Sequence, residues 1–385
     1  MEPQQEDTKF EGWIARDRAA AAGQMEWGSF EPKPWEETDV DIEVTHCGIC
    51  SSDLHVLRSD WPASYPVVVG HEIIGTVVRV GMDAKTGIRV GDRVGVGAQA
   101  DACLCRKPPA VAGDWSSCGE CARGQENYCA RASTTYNSHF LSTAAGGAKT
   151  MGGYARHHRC PSHFVFRIPD ELRSEHAAPL MCAGITVYSA LCSVPRSSDE
   201  PGGGSSKTQH LRGMRVGVIG IGGLGHLAIQ FARAMGAAYV LALSRDEGKR
   251  DDARTLGAHG YIATGGDEEW WGDQANSLDV MISTIAANEP IAPHLRLLRR
   301  GGRYIVLGMP NDAVEVDMSM LVVKGLRLTG SLIGSPAEVR DMLRFAVEQK
   351  ITPWVDVRSM GGANNAILDM EAGMARYRFV LCNEM

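Results

Sequence analysis

The stretch Val216-Gly217-Val218-Ile219-Gly220-Ile221-Gly222-Gly223-Leu224-Gly225 determines how the second half of the chain folds. It joins a short apolar run to the spacing G-x-G-x-x-G, and apolar residues then recur at helical intervals as far as Gly236. A second apolar run follows at 239–243. The pattern predicts a strand, a glycine turn, a helix and a second strand, which is the opening of a Rossmann dinucleotide-binding domain. The glycines let the backbone approach a pyrophosphate, to which the N-terminus of the helix presents N–H groups.

The residues at the end of the second strand indicate which dinucleotide is bound. An NAD site usually has an acidic residue there, which holds the ribose 2′-hydroxyl. This chain has Ser244 and Arg245, with Lys249 four residues further on. A hydroxyl group and two cations suit a 2′-phosphate, through charge-assisted hydrogen bonds. The sequence therefore predicts NADP(H), and the alternative is that both cations are merely solvated at the start of a helix.

The composition is that of an ordinary globular protein with room for two domains. Of 385 residues, 44% are hydrophobic, and the formal net charge of −7 argues against a nucleic-acid-binding surface. Apolar runs are too short to span a membrane, and the polar N-terminus lacks a signal-peptide core. Eleven cysteines in such a chain indicate metal ligands and buried thiols rather than disulfides. We expect a reducing, cytoplasmic setting.

The first half of the chain consists of short apolar stretches separated by glycines. Those at 38–45, 67–80 and 91–96 predict strands of a compact, irregular β-barrel. Two helices are predicted later in the chain. One spans 293–300 and is closed by Gly301-Gly302. The other begins at Ser335-Pro336-Ala337-Glu338, a capping box, and its buried face consists of Val339, Met342, Leu343 and Ala346.

A cysteine-rich loop lies within the β-rich half. Cys118-Gly119-Glu120-Cys121 is a C-x-x-C pair, Cys129 follows it, and Cys103 and Cys105 precede it. Structural Zn²⁺ is held by four ligands in a tetrahedron, and this spacing is typical of such a site. A redox C-x-x-C is the alternative, but that motif normally opens a helix after a strand. The residues alone leave open whether Cys103 or Cys105 is the fourth ligand.

Three further positions are candidate ligands of an open, catalytic zinc site. They are Cys50, the pair His71-Glu72, and Cys182, which are far apart in sequence. Each alone has an ordinary interpretation, because cysteine is often a small buried hydrophobic residue and a His-Glu pair can lie on the surface. The order in which they occur with the other motifs is more informative than any one of them.

Taken in order, the motifs resemble those of the zinc-dependent medium-chain alcohol dehydrogenases. They are Cys50-Ser51-Ser52-Asp53-Leu54-His55, Gly70-His71-Glu72, the cysteine-rich loop, Met181-Cys182-Ala183-Gly184 and the glycine turn. Within that family the chain most resembles the NADP(H)-dependent cinnamyl alcohol dehydrogenase group, which Tyr377-Arg378-Phe379 also fits. The resemblance starts near Trp35. It departs where Arg106 to Ser117 are inserted, and at Ser51, where relatives often have histidine.

The resemblance implies a fold and two metal sites. It implies a GroES-like β-barrel catalytic domain at 1–183, to which 334–385 return, and a Rossmann NADP-binding domain at 184–333. Cys50, His71 and Cys182 would bind the catalytic zinc, with Glu72 as the further ligand when substrate is absent. Cys103, Cys118, Cys121 and Cys129 would bind the structural zinc, which makes two Zn²⁺ per chain. Cys103 is favoured over Cys105 because its distance from Gly97-Ala98-Gln99 matches the first ligand in relatives.

The same resemblance implies roles for other residues. Ser52 would hydrogen-bond the substrate oxygen, and His55 would pass its proton to solvent through the cofactor ribose. Asp53 would be a hydrogen-bonding support for His71. Thr186, Ser331 and Ile333 would lie beside the nicotinamide.

The function that the resemblance implies is NADPH-dependent reduction of an aldehyde to a primary alcohol. The alternative is a reductase of conjugated double bonds on the same fold, but such relatives dispense with the catalytic zinc, whereas all its ligands are present here. A polyol dehydrogenase would favour NAD and an acidic residue at Ser244. A non-enzymatic cofactor-binding protein would not need an intact zinc site. The expected partners are a small aldehyde or alcohol and a second copy of the chain in a homodimer, without nucleic acid or membrane.

Overall fold

The computed structural model describes residues 9–84, 86–106, 118–141, 147–195, 207–266, 269–286 and 290–383. Apart from Arg106, the insertion in the cysteine-rich loop therefore lies outside the described residues. The chain divides into two compact units. The first comprises Met1–Cys182, Ser335–Arg344 and Pro353–Met385, and the second comprises Ala183–Gly334 and Phe345–Thr352. Residues 345–352, which the sequence assigned to the returning segment, group with the second unit.

The elements of the first unit up to Cys182 are mostly short strands. In chain order they are β1 (Glu11–Ile14), β2 (Glu26–Ser29), β3 (Asp39–Gly48), α1 (Ser51–Leu57), β4 (Glu72–Val80), β5 (Arg93–Val96), β6 (Gln99–Asp101), α2 (Gly119–Ala122), β7 (Ser133–Thr134), β8 (His157–Pro161), β9 (Val165–Arg167) and α3 (Ser174–Pro179). A π-helical turn, Leu180–Gly184, follows α3.

The second unit alternates strands and helices. Its elements are α4 (Ile185–Cys192), β10 (Arg215–Ile219), α5 (Gly225–Ala234), β11 (Tyr239–Ser244), α6 (Arg250–Thr255), β12 (Gly260–Ala263), β13 (Leu278–Ser283), α7 (Ala292–Leu297), β14 (Leu298–Val306), α8 (Met318–Lys324) and β15 (Arg327–Gly330). The chain ends with α9 (Pro336–Glu348), β16 (Val355–Ser359), α10 (Ala363–Glu371) and β17 (Arg378–Cys382). Among the described helices, none is both long enough and apolar enough to cross a lipid bilayer.

The core of the first unit is a seven-stranded sheet in the order β16-β17-β3-β4-β5-β9, with β8 also paired to β3. All of these pairs are antiparallel except β16 with β17. The long strand β3 is buried along most of its length because it has neighbours along both edges. Its end, Gly48, pairs with Glu72 of β4 and with Val380 of β17. Segments from both ends of the chain therefore meet at one place in the sheet.

The second unit contains a six-stranded parallel sheet in the order β12-β11-β10-β13-β14-β15. This is the order 3-2-1-4-5-6 of a Rossmann fold, so the predicted dinucleotide-binding architecture is confirmed. Apolar side chains of β10, β11 and β13 are buried almost without exception. Such continuous apolar runs are typical of parallel strands that are covered on both faces.

Each glycine of the turn has its own steric reason. Gly220 has φ +83°, a left-handed conformation that other residues rarely adopt. A Cβ on Gly225 would lie 1.8 Å from the carbonyl oxygen of Gly220, so the first turn of α5 can pack there only without a side chain. A Cβ on Gly222 would meet no described atom within 4 Å. The middle glycine thus leaves open space beside the N-terminus of α5, where a pyrophosphate would lie.

Two helix predictions had different outcomes. The capping box is confirmed: Ser335 N–H donates to Glu338 at 2.9 Å, Glu338 N–H donates to Ser335 Oγ at 3.3 Å, and the four predicted apolar residues of α9 are buried. The prediction of a helix over 293–300 was wrong at its end. Helix α7 stops at Leu297, and β14 begins at Leu298 and runs through the two glycines that were expected to close the helix.

Candidate active site and metal centres

Four candidate ligands come together in the first unit from three separate segments. Cys50 is the N-cap residue of α1, immediately beyond β3. His71 and Glu72 lie where β4 begins, and Cys182 lies in the π-helical turn after α3. All four are buried, and one ligand atom of each lies within 4.8 Å of the others. The antiparallel pairing of β3 with β4 accounts for this, because it places the end of one strand beside the start of the other.

The distances in this cluster suit a tetrahedral metal ion. The sulfur atoms of Cys50 and Cys182 are 3.9 Å apart, and His71 Nε2 lies 3.2 Å from Cys182 Sγ. With Zn–S bonds of about 2.3 Å, two sulfurs of a tetrahedral site lie roughly 3.8 Å apart. Sulfur and imidazole nitrogen are also the donor types that Zn²⁺ prefers. The residues present therefore fit Zn²⁺.

The electrostatics of the cluster favour negative charge on sulfur. The hydrogen bond shared between the two thiols lowers the pKa of Cys50 well below its usual range and raises that of Cys182. Burial alone would lower the pKa of His71, but the neighbouring negative charges, Cys50 first and then Asp53 and Glu72, together outweigh burial and raise that pKa to about 9. A divalent cation in the same place would replace these protons, because thiolate and neutral imidazole are the ligating forms.

Glu72 belongs to the cluster and is held at the same time by an arginine. One carboxylate oxygen accepts a hydrogen bond from the guanidinium of Arg378, and both side chains are almost fully buried. The other oxygen, Oε2, has no hydrogen-bond partner among the described residues. A Cβ on Gly48 would lie 2.0 Å from that oxygen. Glu72 can therefore offer one oxygen as a ligand while Arg378 compensates its charge.

The predicted proton relay lies on α1. Ser52 Oγ is 3.5 Å from Cys50 Sγ, which places the hydroxyl beside the ligand cluster. His55, one turn further along, has its Nδ1 3.2 Å from a carboxylate oxygen of Asp60. The imidazole also stacks on Trp61, with ring centroids 4.7 Å apart and an interplanar angle of 14°. Asp60 and Trp61 therefore determine how the His55 ring is oriented.

Asp53 has a different set of partners from the one that the resemblance implied. Its buried carboxylate accepts hydrogen bonds from Cys50 N–H at 2.9 Å, Gly70 N–H at 3.2 Å and the hydroxyl of Tyr154 at 2.9 Å. Its effect on His71 is electrostatic and raises the pKa of the imidazole. The bonds to Cys50 and Gly70 fix the backbone next to two candidate ligands.

The second cluster consists of four sulfur atoms in the cysteine-rich loop. Cys103 Sγ lies 3.6 Å from both Cys121 Sγ and Cys129 Sγ, and Cys118 Sγ lies 3.9 Å from Cys129 Sγ. These separations also match the roughly 3.8 Å of a tetrahedral zinc–thiolate site. Cys105 is outside the cluster, with its sulfur 3.6 Å from the carbonyl oxygen of Cys118. The geometry fits Zn²⁺ with Cys103 as the fourth ligand.

The residues that were predicted to select the dinucleotide, Ser244, Arg245 and Lys249, lie at or just after the end of β11. Arg245 is exposed, and no acidic side chain of the described residues forms an ion pair with it. Lys249 instead donates from Nζ to the carbonyl oxygen of Ile221, 2.8 Å away, within the glycine turn. The cation of Lys249 is thus held against the turn that would bind the pyrophosphate, and Arg245 is the cation available to a 2′-phosphate.

The residues predicted to lie beside the nicotinamide are also in the second unit. Thr186 is buried in α4. Ser331 and Ile333 follow β15, where Ser331 N–H donates to Val306 at 3.2 Å. Ile333 has φ +39°, a strained conformation for a β-branched residue. Such strain is concentrated at functional sites, which agrees with the predicted role of this segment.

Sequence reasoning missed three contributors to the first site. Arg378 was noted only as part of a family motif, although a charged residue that opens the apolar run Arg378–Cys382 signals a buried partner. Asp60 gave no signal, because it lies in a polar loop. Tyr136 follows the cysteine-rich loop, and its ring is nearly parallel to that of His71, with centroids 5.5 Å apart. Only the fold brings Tyr136 and His71 together.

Comparison with known proteins agrees with this architecture. Residues 36–170 match the family described as alcohol dehydrogenase GroES-like domain, and residues 223–348 match the family described as zinc-binding dehydrogenase. A probable cinnamyl alcohol dehydrogenase 8A of Oryza sativa subsp. japonica is 38% identical over 96% of this chain and 94% of its own. A cinnamyl alcohol dehydrogenase structure from Sorghum bicolor has a TM-score of 0.84 at 36% identity, covering 97% of this chain and 98% of its own. The structure of CAD from Helicobacter pylori complexed with NADP(H) has a TM-score of 0.81 at 28% identity, covering 98% and 99%.

The chain belongs to the zinc-binding alcohol dehydrogenases of the medium-chain type, in which a GroES-like domain accompanies a Rossmann domain. Within that class it is a cinnamyl alcohol dehydrogenase-like member, as the resemblance predicted. It is accordingly an oxidoreductase.

The two clusters predict different outcomes for two neighbouring thiols. Cys103→Ser should lower the zinc content from about two ions per chain to about one and lower thermal stability, because a structural site needs all four ligands. Cys105→Ser should change neither quantity and is the matched control. Metal analysis and a thermal melt of both variants provide the test. Loss of zinc from Cys105→Ser alone would reverse the assignment.

Proposed function

We propose that this enzyme reduces an aldehyde to a primary alcohol with NADPH as the hydride donor. The observation that carries the proposal is the convergence of Cys50, His71 and Cys182, within hydrogen-bonding distances of one another and beside the hydroxyl of Ser52. Two sulfurs and one nitrogen leave an open position on a tetrahedral ion, as catalytic zinc sites do. The preferred substrates are aromatic, cinnamyl-type or aliphatic aldehydes.

When bound, Zn²⁺ would polarise the carbonyl oxygen as a Lewis acid, and NADPH would supply the hydride. The residues of the chain handle the substrate oxygen and the proton. Ser52, beside the cluster, would hydrogen-bond the substrate oxygen and deliver a proton to it as the alcohol forms. His55 would restore that proton from solvent, and its Nδ1 contact with Asp60 would hold the imidazole in one orientation. Glu72, neutralised by Arg378, would occupy the open position between turnovers.

The proposed cofactor is NADP(H), and the proposed metal content is two Zn²⁺ per chain. Ser244 and the exposed Arg245 support the first proposal, together with the NADP(H) bound by the Helicobacter pylori relative. The two clusters of four candidate ligands support the second. None of the eleven cysteines forms a disulfide in the structure, which is in keeping with the proposed reducing, cytoplasmic setting.

The alternative activity is reduction of a conjugated double bond in a specialised metabolite. That reaction does not need a metal Lewis acid, and the family members that perform it without zinc have no use for the ligands. Here the three ligands, Glu72 and the paired Arg378 are all in place. The complete ligand set therefore favours the carbonyl as the reacting group.

Activity across a panel of aldehydes tests the proposal directly. NADPH oxidation should be measured with aromatic, aliphatic and terpenoid aldehydes and with enals that differ only in the position of the double bond.

His71→Ala should abolish turnover and remove one zinc. His55→Ala should lower kcat by about 10–100-fold, because a relay step contributes about 10²–10⁴ and water can substitute for it in part. Full activity in zinc-free protein would instead support double-bond reduction.

The cofactor assignment makes a separate prediction at Arg245. A hydrogen bond to a charged group is worth about 1.5–3 kcal/mol, so Arg245→Asp should weaken NADPH binding by roughly 10–100-fold or more. NADH binding should change little, because NADH lacks the 2′-phosphate. Arg254→Asp, which removes an exposed arginine on α6, is the control for the change in net charge. Equal use of NADH and NADPH by the unmodified enzyme would show that the assignment is wrong.

We also propose that the chain forms a homodimer through the end of the six-stranded sheet. The support is an exposed apolar face on α8 and β15, which is an edge strand. Its members are Met318, Val322, Val323 and Leu328. An exposed edge strand beside apolar side chains is suited to pair with the same edge of a second copy.

The double substitution Val322→Glu and Val323→Glu should give monomers in sedimentation velocity. A monomeric unmodified protein would contradict the proposal.

A further inference from the structure

Asp53 is the centre of a buried hydrogen-bond network behind the catalytic cluster. Its carboxylate accepts from Cys50 N–H and Gly70 N–H, so one side chain joins the backbone at one ligand to the residue before the next ligand, His71. Because Asp53 is completely buried, it can remain a charged acceptor only if its oxygens are satisfied. The hydroxyl of one tyrosine completes that set, and a second tyrosine supports His71.

Tyr154 provides this hydroxyl. Its Oη donates to Asp53 Oδ2 at 2.9 Å, and the residue is fully buried. The backbone before it is fastened to the segment that leads to His71: Gly152 N–H donates to Val68, Gly153 N–H donates to Gly70, and Tyr154 N–H donates to Val69, at 2.7–3.0 Å. The ring of Tyr154 also fills the space that a Cβ on Gly70 would need. Neither the ring nor the hydroxyl can move without the backbone before His71.

Tyr136 provides a flat surface against His71. Its ring is stacked parallel to the His71 imidazole, with ring centroids 5.5 Å apart and an interplanar angle of 5°. The residue before it, Thr135, is bonded through N–H to Ala98 and through Oγ1 to Gly97. That segment leads directly out of the cysteine-rich loop. Tyr136 is therefore set by the loop and acts on His71.

We propose that Tyr136 and Tyr154 are positioning residues for the catalytic metal: the hydroxyl of Tyr154 holds Asp53, which fixes the backbone at Cys50 and before His71, and the ring of Tyr136 holds the His71 imidazole in the arrangement that retains zinc. The inference rests on the proposed zinc site and adds residues that do not themselves touch the metal. Hydrogen-bonding partners behind metal ligands influence affinity by about 10–100-fold. Tyr154 acts one bond further away and Tyr136 acts by stacking, so each should have an effect near the lower end of that range.

Zinc release tests the proposal without using enzymatic activity. Tyr154→Phe keeps the ring and removes the hydroxyl, and Tyr136→Leu removes the ring that stacks on His71. Each should speed the transfer of the catalytic zinc to a colorimetric chelator by roughly tenfold, and the double variant should release it faster still. The two zinc ions should be released in two kinetic phases. The phase that is missing in His71→Ala belongs to the catalytic zinc.

Tyr65→Phe is the matched control. Its hydroxyl contacts the carbonyl oxygens of Val56 and Leu57 and the hydroxyl of Ser59, at the other end of α1. Removing it also costs hydrogen bonds but leaves Asp53 untouched, so zinc release should stay within about twofold of the unmodified protein. Release from Tyr136→Leu and Tyr154→Phe that is no faster than from Tyr65→Phe would overturn the inference.

A cobalt-substituted protein gives a second readout that loss of stability alone would not change. The visible absorption bands of Co²⁺ in the catalytic site should shift in Tyr136→Leu and Tyr154→Phe and remain unchanged in Tyr65→Phe. Unchanged bands in all three variants would count against positioning by the tyrosines. If the unmodified protein held no zinc that depends on His71, the proposed function would fail first, and this inference with it.

Discussion

The buried ion pair between Arg378 and Glu72 is the constraint on which the first unit depends. At most 1% of the surface of either residue is exposed to solvent. A buried charge left without its partner costs about 3–5 kcal/mol. The two residues come from β17 and β4, which lie on either side of β3. The last strand of the chain must therefore be in place before the site built from residues 50–72 is complete. The pair also explains Gly48, because a side chain there would collide with the Glu72 carboxylate.

Much of this molecule could be predicted from sequence where a local spacing imposes the geometry. The glycines at 220, 222 and 225 each have the steric role that the motif requires, and the capping box at Ser335 forms as written. The C-x-x-C pair likewise predicted a cluster, because two cysteines at that spacing point to one side of a turn. What the spacing could not distinguish was Cys103 from Cys105. The structure distinguishes them by backbone direction, since Leu104 and Cys105 both have positive φ and turn the chain away from the cluster.

The features that sequence could not predict are those that depend on distant segments. Helix α7 was predicted to run to the glycines at 301 and 302. Leu298 instead pairs with Leu278 of β13 and begins β14. Strand pairing with a distant segment therefore prevails over the local helical preference. Lys249 is close to Arg245 in sequence, which predicts that both cations meet the 2′-phosphate. The ammonium group of Lys249 instead donates to the carbonyl oxygen of Ile221. Tyr136 meets His71 and Tyr154 meets Asp53 across more than 60 residues of chain, a distance at which no local pattern carries information.

The π-helical turn at Leu180–Gly184 makes the length of one short segment as important as its composition. Helix α3 packs on β3 and β4, so its orientation is fixed to the strands that carry the other ligands. Successive residues of a regular helix are separated by a rotation of about 100°. Adding or removing one residue between α3 and Cys182 would turn the thiol through about that angle, away from Cys50 and His71. Substitutions in this turn preserve the direction of the thiol, whereas a single-residue insertion or deletion aims it elsewhere, even if every ligand is retained.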